Sequence, residues 1–222
     1  HVFSQNARAL DFLSPKSYNN GIYMKGIPNT SVLYWFESIR VPVLNEFMLL
    51  VTRFGEETLF LVAAMTMLWC VDKRKSYYLL AVGFLGLISN QFLKITCRIP
   101  RPWVLDPEFT ILEQAREAAA GYSFPSGHTQ TAVGTFGSIA AVTKNRVVKT
   151  LCVAICILVP ISRMYVGVHT PLDVSVAAVM ALLLICVLQP MAGEKSKKWM
   201  RWILMIYCLK PKSCFCKIPK LA

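Results

Sequence analysis

Charge is scarce in this chain. Only 16% of its 222 residues are Asp, Glu, Lys or Arg, against about 25% in a typical soluble domain. Apolar residues make up 55%, and the mean hydropathy is +0.48. So little charge excludes an ordinary water-exposed surface and points to an integral membrane protein. Histidine is scarcer still, with three in the whole chain. No cluster of carboxylates stands out either, so nothing suggests a metal or other cofactor. There is no long internal repeat, no low-complexity tract and no leader-like opening stretch. The eight cysteines do not form a disulfide framework. Cys70, Cys97, Cys152, Cys156 and Cys186 lie in or beside apolar runs and read as small buried hydrophobes. Cys208, Cys214 and Cys216 fall in a basic tail.

The charges that are present are unevenly placed. The net charge is +12, which by itself would suit a nucleic-acid partner. Position argues otherwise. Five apolar segments, roughly 56–71, 76–97, 127–143, 148–168 and 171–189, are candidate spans; a spanning helix usually needs about 17–25 residues. If they alternate, the links "DKRK" and "KNRVVK" and the tail beginning "GEKSKKWMR" share one side. That side holds 14 of the 24 Lys and Arg against Asp72 and Glu194. The other side is electrically balanced. This is the pattern of cytoplasmic loops, and it accounts for the basic character without nucleic acid. Residues 1–55 read as a polar arm followed by interfacial helices broken near Pro42, with Glu37, Arg40, Glu46 and Arg53 among the apolar positions. Residues 56–189 form the spanning unit. Residues 190–222 form a basic cytoplasmic or interfacial tail, with "WMRWILMIYCL" as an interfacial helix. The 98–126 loop falls outside, and about 109–120 favours a short amphipathic helix stopped by Gly121.

Three stretches put polar groups at the outer ends of these spans. In "KITCRIPRP", Lys94 ends the second span, and Pro100 and Pro102 stiffen the backbone around Arg101. In "PSGHT", Ser126 suits an N-cap, and the N–H groups from Gly127 onward would face an anion. In "SRMYVGVHTPLD", Thr170 suits an N-cap with Pro171 at the first helical position. Asp173 fits a capping box there, or it reaches back four residues to His169 and fixes the imidazole. Each stretch has a plain structural alternative: interfacial anchoring for the cations, helix capping for Ser126 and Asp173. Taken together, Lys94, Arg101, Arg163, His128 and His169 share one side with a helix N-terminus. That set suits a dianion, a nucleophile and an acid, the requirements of phosphoryl transfer.

The three stretches also resemble the three-part signature of the type 2 phosphatidic acid phosphatase superfamily. Lys94 precedes Arg101 and Pro102 at the required spacing, "PSGH" runs from Pro125 to His128, and Ser162 and Arg163 precede His169 and Asp173 in order. The resemblance covers about residues 56–189. It implies an all-α membrane bundle of about five spanning helices with the core shared by these phosphatases and the haloperoxidases. It also implies roles. His169 attacks phosphorus and forms a phosphohistidine, and Asp173 orients His169. His128 protonates the leaving oxygen and then activates water. Lys94, Arg101 and Arg163 hold the phosphoryl oxygens, helped by Ser126 and the N–H of Gly127. Family members need no metal.

The expected function is therefore hydrolysis of a lipid phosphate or diphosphate at the outer membrane face. Undecaprenyl diphosphate ranks first and phosphatidate next. The small loop system suggests a bacterial plasma membrane. The partners are the bilayer and the lipid substrate; the oligomeric state is not legible. A phosphotransferase would use the same residues with an alcohol acceptor. A non-catalytic anion- or lipid-binding protein would normally lack one of the essential groups. Among weaker candidates, Asn90 suits an interhelical hydrogen bond or a cavity wall. Glu56 and Glu57 suit a helix dipole, or a pair with a site arginine. Trp103 and Tyr165 suit packing.

Overall fold

The computed structural model describes residues 30–193 except 117, 118 and 120. The N-terminal arm, the tail from 194 and Cys208, Cys214 and Cys216 lie outside the described residues. The helices are α1 (Thr30–Ser38), α2 (Pro42–Thr52), α3 (Glu57–Cys70), α4 (Lys73–Cys97), α5 (Pro102–Leu105), α6 (Glu113–Arg116), α7 (Gly127–Val142), α8 (Arg146–Tyr165) and α9 (Pro171–Leu188). The described residues contain no strand.

Local chemistry sets the helix ends. Pro42 begins α2 after extended Val41, as the residue before a proline should be. Asp72 caps α4 through the N–H groups of Arg74 and Lys75, and Asn145 caps α8 through those of Val147 and Val148. Ser126 caps α7, and Thr170 caps α9. The 3-10 turn Arg53–Gly55 joins α2 to α3.

Helices α3, α4, α7, α8 and α9 form the bundle, with α7 packed against the other four. Its sequence explains that position. Gly134, Ala132, Ala140, Thr135 and Ser138 are all buried, and small residues let helices approach closely where lipid supplies no hydrophobic drive. The bundle buries several polar side chains among its apolar core and turns large apolar ones outward. Ser76, Asn90, Thr129, Gln130 and Ser138 are buried, while Trp69, Ile88, Phe92, Leu151 and Leu183 are exposed. That outward face suits a hydrocarbon surround.

Three stretches among the described residues are long and apolar enough to cross a membrane: Lys73–Leu105, Arg146–Tyr165 and Pro171–Ala192. The other two bundle helices are shorter, at 14 residues in α3 and 16 in α7. At about 1.5 Å per residue they fall short of the ~30 Å hydrocarbon core. Five spans are thus a reading of the bundle, while three meet the length and composition requirement.

Two expectations need correction. Among the described residues of the predicted 109–120 helix, Glu113–Arg116 is helical, and 109–112 and 119 are not. The stretch is held by packing instead: Ala115 and Ala119 join Phe36, Tyr165, Val166 and Val168 in one cluster. The Leu112 N–H also donates to the Val166 carbonyl at 3.2 Å. Among the bundle cysteines only Cys152 is buried; Cys70 and Cys186 are exposed and Cys97 and Cys156 lie between. Apolar neighbours in sequence placed these cysteines on outward faces as readily as inward ones.

The charged residues that interrupt α1 and its end have partners. The Arg40 guanidinium donates to the Tyr165 carbonyl at 3.1 Å and the Thr110 carbonyl at 2.9 Å, and Glu37 accepts from the Thr110 N–H. The two basic links meet at the far end of the bundle. Val71 and Lys75 line one cavity with Thr143, Lys144 and Val148.

Candidate active site

At the opposite end of the bundle, two helices finish and two begin. Lys94 lies in the last turn of α4 and Arg163 in the last turn of α8, where cations suit a helix C-terminus. The starts of α7 and α9 meet them and are tied together, the Ser126 N–H donating to the Asp173 carbonyl at 3.1 Å. Two helix N-termini and three cations thus converge.

The turn after α8 aims His169. Gly167 has φ +88°, a left-handed conformation natural to glycine. Its N–H donates to the Met164 carbonyl at 3.0 Å, and the Val168 N–H donates to the Arg163 carbonyl at 3.2 Å. These two bonds are those of a Schellman helix end. The chain leaves the helix sharply, and His169 turns inward with 2% exposure.

His169 sits between a cation and an anion. Its Nε2 lies 3.1 Å from Nη1 of Arg101. A guanidinium only donates, so Nε2 must accept and the ring proton sits on Nδ1. Nδ1 lies 3.6 Å from Oδ2 of Asp173. That is ion-pair range, longer than a hydrogen bond, and Nδ1 has no closer partner among the described residues. Burial holds the His169 imidazole below its ordinary range, against the opposing pull of Asp173, with the Arg101 and Arg163 charges lowering it further. The resting ring is neutral, with its lone pair on Nε2.

Asp173 does both things the sequence left open. It completes the capping box with Thr170, its Oδ2 accepting from the Thr170 N–H at 2.8 Å. The same oxygen accepts from the Ser123 hydroxyl at 2.6 Å and faces His169.

The remaining charged side chains lie near one another, close enough for Arg101 and Arg163 to act on Lys94. Arg101 is 5% exposed, donates to the carbonyls of Val168 at 2.9 Å and Gly121 at 3.1 Å, and stacks near Trp103. Arg163 is 1% exposed and donates through Nη1 to the Thr52 hydroxyl at 2.8 Å. Its Nε and Nη2 have no partner among the described residues. Buried guanidinium donors left unmatched are costly, and these two are open to an oxygen-rich anion. Lys94, Gly127 and His128 line a cavity of about 350 Å³, together with Asn90, Glu56 and Glu57. A methyl group on Gly127 would come 3.8 Å from Nζ of Lys94, so the backbone there opens towards the cation. The charges of Arg163, Lys94 and Arg101 all act on His128.

Lys94, Arg101, Ser126, Gly127, His128, Arg163, His169 and Asp173 therefore come together at one end of the bundle. Asn90 is a buried cavity wall, and its Nδ2 has no hydrogen-bond partner among the described residues. Glu56 and Glu57 line the cavity mouth, and Glu56 makes no capping bond. Tyr165 packs on Phe36 and donates to Asn45 at 2.7 Å. Sequence reading missed Thr52, Gly55 and Ser123. None belongs to the three signature stretches, and nothing in their local pattern marks them. Among the described residues, no group of three or more His, Cys, Asp or Glu is arranged to hold a metal ion.

Comparison with known proteins gives the family and the fold. Residues 74–197 match the PAP2 superfamily. The chain is 30% identical over 144 residues to undecaprenyl-diphosphatase BcrC of Bacillus subtilis (strain 168), covering 64% of this chain and 72% of that one. The crystal structure of Aquifex aeolicus LpxE superposes with a TM-score of 0.65 at 23% identity, over 76% of this chain and 99% of that one. A transmembrane PAP2-type phosphatidylglycerolphosphate phosphatase from Bacillus subtilis gives 0.60 at 27% identity, over 72% and 81%.

Proposed function

The chain belongs to the PAP2 superfamily and is a multi-pass membrane phosphatase, and from that premise we propose that it hydrolyses an isoprenoid diphosphate or a related lipid phosphate through a phosphohistidine on His169. The observation that carries this reading is the state of that ring: neutral, buried, with its lone pair on Nε2 beside Arg101 and its Nδ1 proton towards Asp173.

In the proposed reaction the phosphoryl group enters beside Lys94, Arg101 and Arg163. Arg101 gives up Nε2 for a phosphoryl oxygen and so exposes the lone pair. His128 takes up a proton as the phosphate anion binds; Nε2 attacks phosphorus, the P–O bond to the lipid breaks, and the His128 imidazolium gives that proton to the departing oxygen. Asp173 stabilises the imidazolium that forms. His128 then takes a proton from water, the water oxygen attacks phosphorus, and the P–N bond breaks. Inorganic phosphate leaves and His169 is neutral again. Ser126 and the N–H of Gly127 add to the oxyanion contacts.

The substrate class follows from dimensions and surroundings. A cavity of about 350 Å³ suits a phosphate head, and the apolar outer face of the bundle suits a tail left in lipid. The name of the Bacillus relative favours undecaprenyl diphosphate, with phosphatidate and phosphatidylglycerol phosphate as further members of the class. The basic links at the opposite end favour a cytoplasmic location there. The site then faces the outside of a plasma membrane.

Purified protein tested on a panel of lipid phosphates with a chelator present checks this. Phosphate release is expected, fastest from the isoprenoid diphosphate and unchanged by the chelator. Activity abolished by the chelator contradicts the reading.

A further inference from the structure

One wall of the site comes from a segment that precedes residues 74–197, the part matched to the family. It is the end of α2 and the short turn that follows. We propose that Thr52 and Gly55 are positioning residues, setting Arg163 and His128 respectively. The inference rests on the roles given to those two residues above.

Two separate contacts support it. The Thr52 hydroxyl accepts the 2.8 Å hydrogen bond from Nη1 of Arg163, with both residues buried. This is the one hydrogen bond from the Arg163 guanidinium to a side chain among the described residues, and Nε and Nη2 remain without a partner. Thr52 thus holds one edge of the fork and leaves the other two donors for phosphate. A planar fork fixed along one edge has little freedom to rotate.

Gly55 acts by its size. A methyl group there would lie 2.7 Å from the His128 carbonyl oxygen, 2.8 Å from its Cβ and 3.0 Å from its Cα. These are backbone and side-chain-root atoms, which cannot swing aside. Gly55 does not have positive φ, so its backbone is one any residue can adopt. The glycine is there for space. Alanine would leave the turn formable and push His128 away from the leaving oxygen. Proton donors are sensitive to such shifts, because reach comes before pKa.

The test separates positioning from general damage. Activity of Gly55→Ala and His128→Ala is measured on an alkyl phosphate, whose alkoxide needs a proton, and on a nitrophenyl phosphate, whose phenolate does not. For Gly55→Ala the expected loss in kcat is roughly tenfold or more on the alkyl ester and less than about threefold on the aryl ester. Thr52→Val is expected to raise the inhibition constant of inorganic phosphate roughly tenfold, and Thr52→Ser to restore it. If His128→Ala shows no leaving-group dependence, the proton-donor role itself has failed. If His128→Ala shows it and Gly55→Ala does not, the Gly55 inference alone is overturned. An unchanged inhibition constant in Thr52→Val overturns the Thr52 inference. That pair of variants carries the test if Gly55→Ala does not fold.

Discussion

His169 and His128 are both imidazoles, yet their surroundings divide the work. His169 is enclosed, with one nitrogen on Arg101 and the other towards Asp173. His128 lines the open cavity. In the proposed reaction loss of His128 removes only proton transfer, so His128→Ala should slow turnover by about 10²–10⁴-fold. It should still form phosphoenzyme from substrates with good leaving groups. His169→Ala should form none, which rapid quench with labelled substrate will report. The protonation state of His169 also has a pH consequence. Its folded-state value lies below the ordinary one, so the unfolded chain takes up the proton first as pH falls. The stability that the neutral ring contributes is therefore complete above about pH 6.5 and is lost progressively below it. His169→Gln should flatten this part of the profile of melting temperature against pH; an unchanged slope would refute the assignment.

Elements place these side chains, and the placement was unevenly legible. The three signature stretches are local in sequence, and their spacing carries the caps at Ser126 and Thr170 and the approach of Asp173 to His169. Pro42 likewise marked where α1 and α2 divide. The Schellman end of α8 is a tertiary consequence of the same letters: Gly167 is unremarkable in sequence but sets the direction of His169. Gly167→Ala should cost roughly 1–2 kcal/mol for a left-handed alanine. The new methyl would also press at 3.0 Å on Arg40 and Phe109. Thermal melts should fall and kcat with them. Thr52, Gly55 and Ser123 stayed hidden because each acts through a partner remote in the chain. The 109–120 stretch misled for a related reason. Among its described residues, non-helical Phe109 and Ala119 are buried by partners remote in the chain.

At the scale of the whole molecule, the apolar outside follows from composition. The number of spans does not, because α3 and α7 are shorter than the hydrocarbon core is thick. Their shortness leaves room for the site to sit recessed at one end, opposite the basic links. A cysteine placed at Asn145 should resist an impermeant reagent added to intact cells; labelling there would reverse the orientation. The central claim is the covalent intermediate on His169, and one measurement bears on it most directly. Protein quenched in base during turnover of labelled isoprenoid diphosphate is digested, and the labelled peptide is identified. Acid-labile, base-stable label is expected on His169, with neither label nor phosphate release in His169→Ala. Phosphate release at the wild-type rate from His169→Ala would contradict it.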